Sequence, residues 1–317
     1  MSRPNSAYLV ETNPSTHLKW STFVTIAPFS RFSMRNSAPK VGHRFSYFMA
    51  GPMRLADGRA SLTCFRQTAG EPSSPICGAR VRRGFYLRTL HDSQPVSHSQ
   101  DAIDLADALH LDRFAVIGHD WGARAAYTMA ALFPERLTAI AALALAYQPR
   151  GLFELPDFEQ SRRFWYQWFQ CTERGSEAVR KDPVGFARIQ WDTWSPPGWF
   201  NEAEFTATAE TFLGPDWPAI TLNAYRARWM PGEATDAHYN ALRLRLREID
   251  CLSTPTLMIQ GASDFCDAPK DSEGLERFFG RAYRRVLLDE VGHFPHREAP
   301  GRVADAVLRL LETYARP

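Results

Sequence analysis

The stretch FAVIGHDWGARAA has a carboxylate, Asp120, at its centre, with Gly118 and Gly122 on either side. The apolar run before it has no polar alternation, which is typical of a strand buried on both faces of a parallel sheet. Residues 123–132 are rich in alanine and predict a helix. Glycines allow a tight turn between a strand and a helix that approach closely. A carboxylate held at such a turn can displace at an sp³ carbon, either opening an epoxide or expelling a halide, and leaves an ester for water to cleave.

A G-x-X-x-G turn between a strand and a helix is the nucleophile elbow of α/β-hydrolases. Within that superfamily, GHDWG resembles the elbow of the soluble epoxide hydrolases and haloalkane dehalogenases. The resemblance implies an α/β-hydrolase fold, with a mostly parallel sheet flanked by helices and a helical cap inserted into the core. It also implies that Asp120 is the nucleophile and that the backbone N–H of Trp121 donates one oxyanion hydrogen bond.

Two stretches near the C-terminus resemble the charge relay of the same family. Asp264 follows the apolar run PTLMIQ in a G-x-x-D pattern, where the family has its relay acid, and Asp267 is a nearby rival. His293 lies in EVGHFP, which resembles the loop that carries the water-activating base. The order Asp120, Asp264, His293 matches the nucleophile, acid, base order of the fold. We expect His296, three residues after His293, to be exposed.

The composition changes after about residue 147. Residues 148–249 are dense in aromatic side chains, and helical patterns alternate there with Pro/Gly turns. Residues 1–147 and 250–317 carry the apolar runs that predict core strands. We therefore predict a helical cap over residues 148–249 between two parts of a hydrolase core, with most of its aromatic side chains packed inside it.

Two tyrosines of the predicted cap resemble the ring-opening pair of soluble epoxide hydrolases. Tyr225, in LNAYRARW, follows the L-N-x-Y-R pattern closely, whereas Tyr166, in FWYQWFQ, differs from its pattern by one residue in length. A phenol can hydrogen-bond the epoxide oxygen and protonate the alkoxide as the ring opens. The resemblance thus implies that Asp120 attacks an oxirane carbon while Tyr225 and Tyr166 stabilise the oxygen. His293, oriented by Asp264, would then activate water.

Two other functions stay open. Haloalkane dehalogenases have a tryptophan directly after the nucleophile to bind the halide, and Trp121 stands there. They also need a second halide donor, commonly an asparagine in the oxyanion loop. Fluoroacetate dehalogenases have a His-Trp pair in the cap, and Gln167 before Trp168 at the matching place argues against defluorination. The remaining alternative is an inactive or misfolded relic that is not an enzyme.

The composition excludes several classes of protein. The 317 residues carry a formal net charge of +2, which predicts no attraction to nucleic acid or to a membrane surface. The five cysteines are odd in number and include no C-x-x-C pair, so neither a disulfide framework nor a zinc site is indicated. We expect a cytoplasmic enzyme without cofactor or metal, acting on a small hydrophobic substrate and water. The oligomeric state and the identity of the substrate are left open.

Residues 25–99 lack the apolar periodicity of a protein core, although a hydrolase core needs strands before its elbow. When each codon is started on the third base of the previous one, SYFMAGPM permits a His-Gly-x-Pro oxyanion loop. In the same frame, residues 74–79 permit Pro-Asp-Leu-Arg-Gly, a second landmark of the family. We therefore expect that at least residues 46–78 are a frameshifted translation, with the frame restored near Ser99. Such a change removes core strands and half of the oxyanion hole.

Overall fold

The computed structural model describes residues 92–108, 111–215, 217–230, 232–233 and 235–314, together with the backbone of four short strands that precede them. These strands are β1 Val10–Glu11, β2 Phe23–Ile26, β3 Tyr47–Ala50 and β4 Arg59–Ala60. Apart from β3 and β4, the frameshift predicted for residues 46–78 lies outside the described residues.

A six-stranded sheet forms the centre of the fold, with the strand order β3-β2-β5-β6-β7-β8. Its C-terminal four strands are β5 Phe114–His119, β6 Leu137–Leu143, β7 Thr256–Gly261 and β8 Tyr283–Leu288. All neighbours from β2 to β8 pair in parallel, whereas β3 pairs with β2 in the antiparallel sense at the edge. β5 and β7 are buried along their whole length, which is why their sequences are apolar without alternation.

Helices cover both faces of this sheet. Alternate residues of β5 belong to two different hydrophobic cores, Phe114 and Val116 to one, Ala115 and Ile117 to the other. The first core is closed by α1 Pro95–Ala108 and α2 Trp121–Leu132, and the second by the C-terminal helix α11 Pro300–Tyr314. The predicted α/β-hydrolase fold, a mostly parallel sheet flanked by helices, is confirmed. Within the described ranges, no helix is long and apolar enough to cross a bilayer.

Helix α1 begins at Pro95, whose fixed φ and missing N–H suit the first turn of a helix. The residues just before the helix are also packed, because the Ser93 N–H donates to the Asn223 side chain at 2.9 Å. Asp92 is packed in the same way, since one of its side-chain oxygens accepts the Asp236 N–H at 2.7 Å.

The described residues between β6 and β7 form one helical insertion with seven α-helices. They are α3 Phe158–Arg163, α4 Trp165–Cys171, α5 Glu173–Lys181, α6 Pro183–Thr193, α7 Glu202–Ala209, α8 Trp217–Trp229 and α9 Asn240–Leu246. Short polar side chains fix where several of them begin; for example, Asp182 accepts the Gly185 N–H at 2.7 Å ahead of α6. The aromatic core of the insertion includes Trp121 and Phe294 of the hydrolase core. The insertion therefore packs against the turn after β5 and the loop after β8.

Candidate active site

Asp120 occupies a strained turn between β5 and α2. Its φ is 50°, in the left-handed region that few residues other than glycine adopt. Its backbone N–H donates to the Leu143 carbonyl at 3.0 Å, which ties the turn to the end of β6. A Cβ on Gly118 would lie 2.1 Å from the carbonyl oxygen of Gly122, so only glycine permits strand and helix to approach this closely. The carboxylate is thereby held at the carboxyl end of the sheet.

His293 lies between two carboxylates. Its Nδ1 is 3.0 and 3.2 Å from the two side-chain oxygens of Asp264. Its Nε2 is 3.7 Å from an Asp120 oxygen, which is too long for a hydrogen bond, and has no hydrogen-bond partner among the described residues. Asp264 is 1% exposed and His293 is fully buried. The structure thus brings together the three residues that the sequence singles out as nucleophile, acid and base.

The loop after β7 aims Asp264, rather than its rival Asp267, at the imidazole. One Asp264 oxygen accepts the backbone N–H groups of Cys266 at 2.9 Å and Asp267 at 3.0 Å, which fixes the carboxylate. A Cβ on Gly261 would lie 2.1 Å from the Val291 carbonyl oxygen, so this glycine lets the end of β7 approach the His293 loop. Burial and the charge of Asp264 raise the pKa of Asp267 to about 7.

Two residues that sequence reasoning missed hold the His293 loop. The Ser195 hydroxyl accepts the His293 backbone N–H at 2.8 Å and donates to Glu298 at 2.7 Å. The Glu298 carboxylate also accepts the N–H groups of Gly292 at 2.6 Å and Phe294 at 2.8 Å. Three successive amides of the loop therefore have partners. Glu298 follows His293 within one short segment, which is a usable signal, whereas nothing in the sequence connects Ser195 with the loop.

Both predicted ring-opening tyrosines face the same buried space. The Trp121 indole N–H donates to the Tyr225 hydroxyl at 3.1 Å, and the Gln167 side-chain N–H donates to the Tyr166 hydroxyl at 3.0 Å. The two phenol rings are 5.3 Å apart and nearly perpendicular. The Tyr166 ring lies 5.0 Å from Trp194, whose ring is 4.9 Å from His293. Both hydroxyls thus accept a hydrogen bond from a neighbouring side chain, and each phenol still has an O–H proton of its own.

The charges of the site reinforce one another. Burial alone would lower the pKa of His293, but Asp264 and Asp120 outweigh it and hold the pKa well above its usual value. Burial would raise the pKa of Asp120, but His293 outweighs it and keeps that pKa below 3.8. The two shifts share one cause, since the charged form of each side chain stabilises the charged form of the other. Burial and the charge of Asp120 raise the pKa of Tyr225 above 10.0, so this phenol stays protonated.

Two further histidines lie beside His293 without entering the relay. The His119 Nε2 is 2.7 Å from the His293 carbonyl oxygen, and because a carbonyl can only accept, this nitrogen carries the proton. Burial, with a contribution from His293, lowers the pKa of His119 to about 3, so the ring stays neutral. The expectation that His296 is exposed is wrong. The residue is half-buried because its ring lies 4.5 Å from that of His119.

Cys266, Asp267 and His293 form the closest approach to a metal-ligand set in the described part of the chain. Their donor atoms all lie within 4.8 Å of one another. Two of the three also have another partner in the site, since His293 is bound by Asp264 and the Cys266 sulfur lies 3.5 Å from the Tyr166 hydroxyl. A thiol, a carboxylate and an imidazole are a donor set that suits Zn²⁺.

The sequence agrees with this arrangement at the level of the family. Residues 73–300 match the family model described as the alpha/beta hydrolase fold. The chain belongs to this family. It is accordingly a hydrolase, and the geometry above lies where an α/β-hydrolase has its nucleophile elbow.

Curated relatives of this α/β-hydrolase are epoxide hydrolases. Epoxide hydrolase A of Mycobacterium tuberculosis (strain ATCC 25618 / H37Rv) is 26% identical over 240 residues, covering 67% of this chain and 72% of the relative. An epoxide hydrolase of Caballeronia sordidicola is 25% identical over 257 residues, covering 69% and 72%. A crystal structure of a proposed epoxide hydrolase from Klebsiella pneumoniae subsp. pneumoniae MGH 78578 is 30% identical, with a TM-score of 0.64 and coverage of 71% and 75%.

Proposed function

We propose that this α/β-hydrolase opens epoxides to diols through an ester formed on Asp120. The observation that carries the proposal is the hydrogen bond from the Trp121 indole to the Tyr225 hydroxyl at 3.1 Å. It orients a protonated phenol beside the nucleophile, where an epoxide oxygen needs a proton donor. The epoxide hydrolases among the relatives support the same reaction class.

In the first step the Asp120 carboxylate attacks an oxirane carbon and the ring C–O bond breaks. Tyr225, assisted by Tyr166, hydrogen-bonds the oxygen and gives it a proton, so that a hydroxyl and a tyrosinate result. Their raised pKa values make both phenols weak acids in the resting site, which favours proton release only when a more basic alkoxide develops.

Formation of the ester removes the negative charge of Asp120. One of the groups that hold the pKa of His293 high is then lost, and the imidazolium can release a proton that restores the phenol. Neutral His293 next takes a proton from water as the water oxygen attacks the ester carbonyl. The Trp121 backbone N–H stabilises the oxyanion, and Asp264 stabilises the new imidazolium. Release of the diol returns the Asp120 carboxylate, so the protons balance over one cycle.

The helical insertion serves, in this proposal, as a cap over residues 148–249, between core parts at residues 1–147 and 250–317. Its buried aromatic side chains suit a small hydrophobic substrate, with water as the second reactant and the cytoplasm as the place of action. Support comes from the position of Tyr166 and Tyr225 within the insertion and from the contact of Tyr225 with Trp121 of the core.

Dehalogenation is the alternative that the elbow sequence suggests. In that reaction the Trp121 indole N–H would bind the departing halide, whereas here it donates to the Tyr225 hydroxyl. The matched test measures diol from 1,2-epoxyhexane and halide from 1-bromohexane, in the wild type and in Tyr225→Phe. We expect diol formation that falls at least about 100-fold in the variant, since a general acid contributes about 10²–10⁴-fold. Full epoxide activity in Tyr225→Phe refutes the role of this tyrosine, and halide release that survives the change supports a dehalogenase.

The frameshift remains part of the proposal, covering at least residues 46–78 with the frame restored near Ser99. If it is correct, the oxyanion donor expected after a His-Gly pair is missing and activity is impaired. Sequencing the coding DNA across codons 20–100 and reading all frames tests it. Stop codons in the second frame contradict it, whereas the two landmarks after a single insertion or deletion support it. A cooperative thermal melt of the present chain separates a folded enzyme from a misfolded relic.

A further inference from the structure

Gln167 is a buried amide beside Tyr166, one of the two phenols of the proposed reaction. It lies in α4 and is 2% exposed, and its two polar atoms have different partners. Its Nε2 donates to the Tyr166 hydroxyl at 3.0 Å, and its Oε1 accepts the indole N–H of Trp229 at 2.8 Å. Because a buried polar group without a partner is costly, each of these three side chains restrains the next.

Trp229 decides which way the Gln167 amide faces. An indole N–H can only donate, so the atom that meets it has to be the amide oxygen. Turning the amide over would place its NH₂ group against the indole N–H, and two donors would then face one another in a buried place. The amide nitrogen of Gln167 therefore faces Tyr166.

This orientation sets the direction of the hydrogen bond at Tyr166. The NH₂ group of an amide donates and does not accept, so the phenol oxygen is the acceptor and the phenol proton is directed away from Gln167. The same hydroxyl lies 3.5 Å from the sulfur of Cys266. Because thiol sulfur is a weak acceptor, it competes poorly with an epoxide oxygen for the Tyr166 proton.

Helix α8 contributes to the orientation of Tyr166 and also carries the other phenol. Tyr225 and Trp229 lie four residues apart in α8, which places them on one face of the helix. Tyr225 accepts the indole N–H of Trp121 directly, whereas Gln167 stands between Tyr166 and the indole of Trp229. One helix thus supplies the second phenol and the group that fixes the amide beside the first.

We infer that Gln167, held by Trp229, is a positioning residue that keeps the Tyr166 proton available to the epoxide oxygen. The inference rests on the proposed epoxide hydrolysis and deepens it. A carboxylate at position 167 would reverse the hydrogen bond, because it can accept the indole N–H with one oxygen and the Tyr166 O–H with the other. A protonated carboxyl can donate to the phenol oxygen as the amide does. The two charge states of Gln167→Glu therefore differ in the direction of this bond.

The first test compares kcat on 1,2-epoxyhexane in the wild type and in Gln167→Glu, from about pH 5 to about pH 9. Burial should raise the pKa of the new carboxyl above its usual value of about 4.3 and bring it into this range. Where the carboxyl is ionised, kcat should lie at least about tenfold below that of the wild type, and it should approach the wild type as the pH falls. The ratio at each pH removes the titration of Asp120 and His293, which both proteins share. A ratio that stays low at every pH indicates damaged packing and overturns the proposal.

A second set of variants separates the hydrogen bond from packing. Gln167→Met keeps the length of the side chain without its donor and should lower kcat about tenfold with little change in KM. Gln170→Met is the matched control, since this buried glutamine of α4 donates to the Tyr166 backbone carbonyl at 3.2 Å and not to the hydroxyl, and kcat should not change. In a Tyr166→Phe background, Gln167→Met should have no further effect on kcat. Wild-type kcat in Gln167→Met, or a loss that adds to that of Tyr166→Phe, overturns the proposal.

A binding experiment tests the same contact without turnover. The probe is 2-hexanone, an isomer of 1,2-epoxyhexane whose oxygen accepts a hydrogen bond but which has no ring to open. Calorimetric titration at alkaline pH should show an affinity for Gln167→Glu about fivefold below that for the wild type, the effect of one hydrogen bond, and the difference should shrink as the pH falls. This result in a protein that hydrolyses no epoxide refutes the proposed reaction and leaves the role of Gln167. Equal affinities at every pH in a protein that hydrolyses 1,2-epoxyhexane overturn the role of Gln167 and leave epoxide hydrolysis standing.

Discussion

The Ser195 hydroxyl, within the helical insertion, accepts the backbone N–H of His293 at 2.8 Å. Ser195 is 1% exposed, and a Cβ on Gly292 would lie 2.3 Å from its oxygen. The Ser195 side chain is therefore closely packed against the loop that carries His293. The Trp194 carbonyl next to it accepts the Phe265 N–H at 3.1 Å, beside the loop that carries Asp264. One segment of the insertion therefore contacts both the loop that carries His293 and the loop that carries Asp264. The insertion thus helps to position both loops.

Replacing Ser195 with alanine should destabilise the protein and displace the base. The His293 N–H loses its acceptor in a buried place, which costs about 1–3 kcal/mol of unfolding free energy. Urea unfolding measures that loss, and Thr193→Ala, at an exposed position of α6, serves as the control. We also expect kcat to fall more than KM rises, because water activation depends on the position of the His293 imidazole. A Ser195→Ala variant with wild-type stability contradicts the importance of this contact.

Removing the Asp120 charge should lower the pKa of His293. In the folded protein Asp264 and Asp120 together outweigh the opposing effect of burial and raise that pKa. A raised folded pKa contributes stability that is complete below the unfolded value of about 6.5 and is lost as the pH rises through the folded pKa. We therefore expect unfolding free energy to fall as the pH rises from neutral, and less so in Asp120→Asn.

Histidine ring NMR shifts measured against pH test this directly. The resonance of His293 should titrate at lower pH in Asp120→Asn than in the wild type. Asp305→Asn, at an exposed position of α11, should leave the titration unchanged. An equal or higher pKa in Asp120→Asn shows that the two side chains do not interact in solution.

Replacing Gly118 with alanine should lower the free energy of unfolding far more than replacing Gly301 with alanine. At Gly118 the new methyl would lie 2.1 Å from a backbone oxygen, and overpacking of this kind costs about 3 kcal/mol or more. At Gly301, in the first turn of α11, nothing lies within 4 Å of the new methyl. There the change should raise stability by about 0.5–1 kcal/mol, because alanine favours helix. Thermal melts of the two variants decide the matter, and a Gly118→Ala protein as stable as the wild type contradicts the close strand–helix approach.

The effect of replacing Trp121 on epoxide turnover should depend on whether Tyr225 is present. Trp121→Phe removes the indole donor that orients the phenol and should lower epoxide turnover about tenfold, since a hydrogen bond of about 1.4 kcal/mol corresponds to that factor. In the double variant with Tyr225→Phe the effects should not add, because the second change removes the group that the first one positions. Additive losses in kcat on 1,2-epoxyhexane indicate that the tryptophan acts independently of the tyrosine.

The parts of the site that the sequence predicts are those with a local pattern. Asp120 lies in a turn that requires its glycines, and Asp264 and His293 follow the parallel strands β7 and β8, which end at the same edge of the sheet. Ser195 is different, since its contact with His293 spans 98 residues and depends on how the insertion packs. For the same reason the half-buried His296 was not foreseen, because the ring that covers it comes from His119.

The two tyrosines illustrate the same limit. The pattern around Tyr225 is local and clear, whereas Tyr166 is offset by one residue, and its meeting with Tyr225 at 5.3 Å depends on the packing of α4 against α8.

The most direct test of the account is an oxygen-isotope experiment on Asp120. The protein is allowed to turn over an epoxide many times in H₂¹⁸O and is then digested. The mass of the peptide that contains Asp120 is measured by mass spectrometry. If water attacks the carbonyl of an ester on Asp120, one carboxylate oxygen becomes ¹⁸O, and no label enters in His293→Gln because the ester is not cleaved there. If the diol carries ¹⁸O from the first turnover and the Asp120 peptide stays unlabelled, water attacks the epoxide itself, and the covalent mechanism proposed for this chain is wrong.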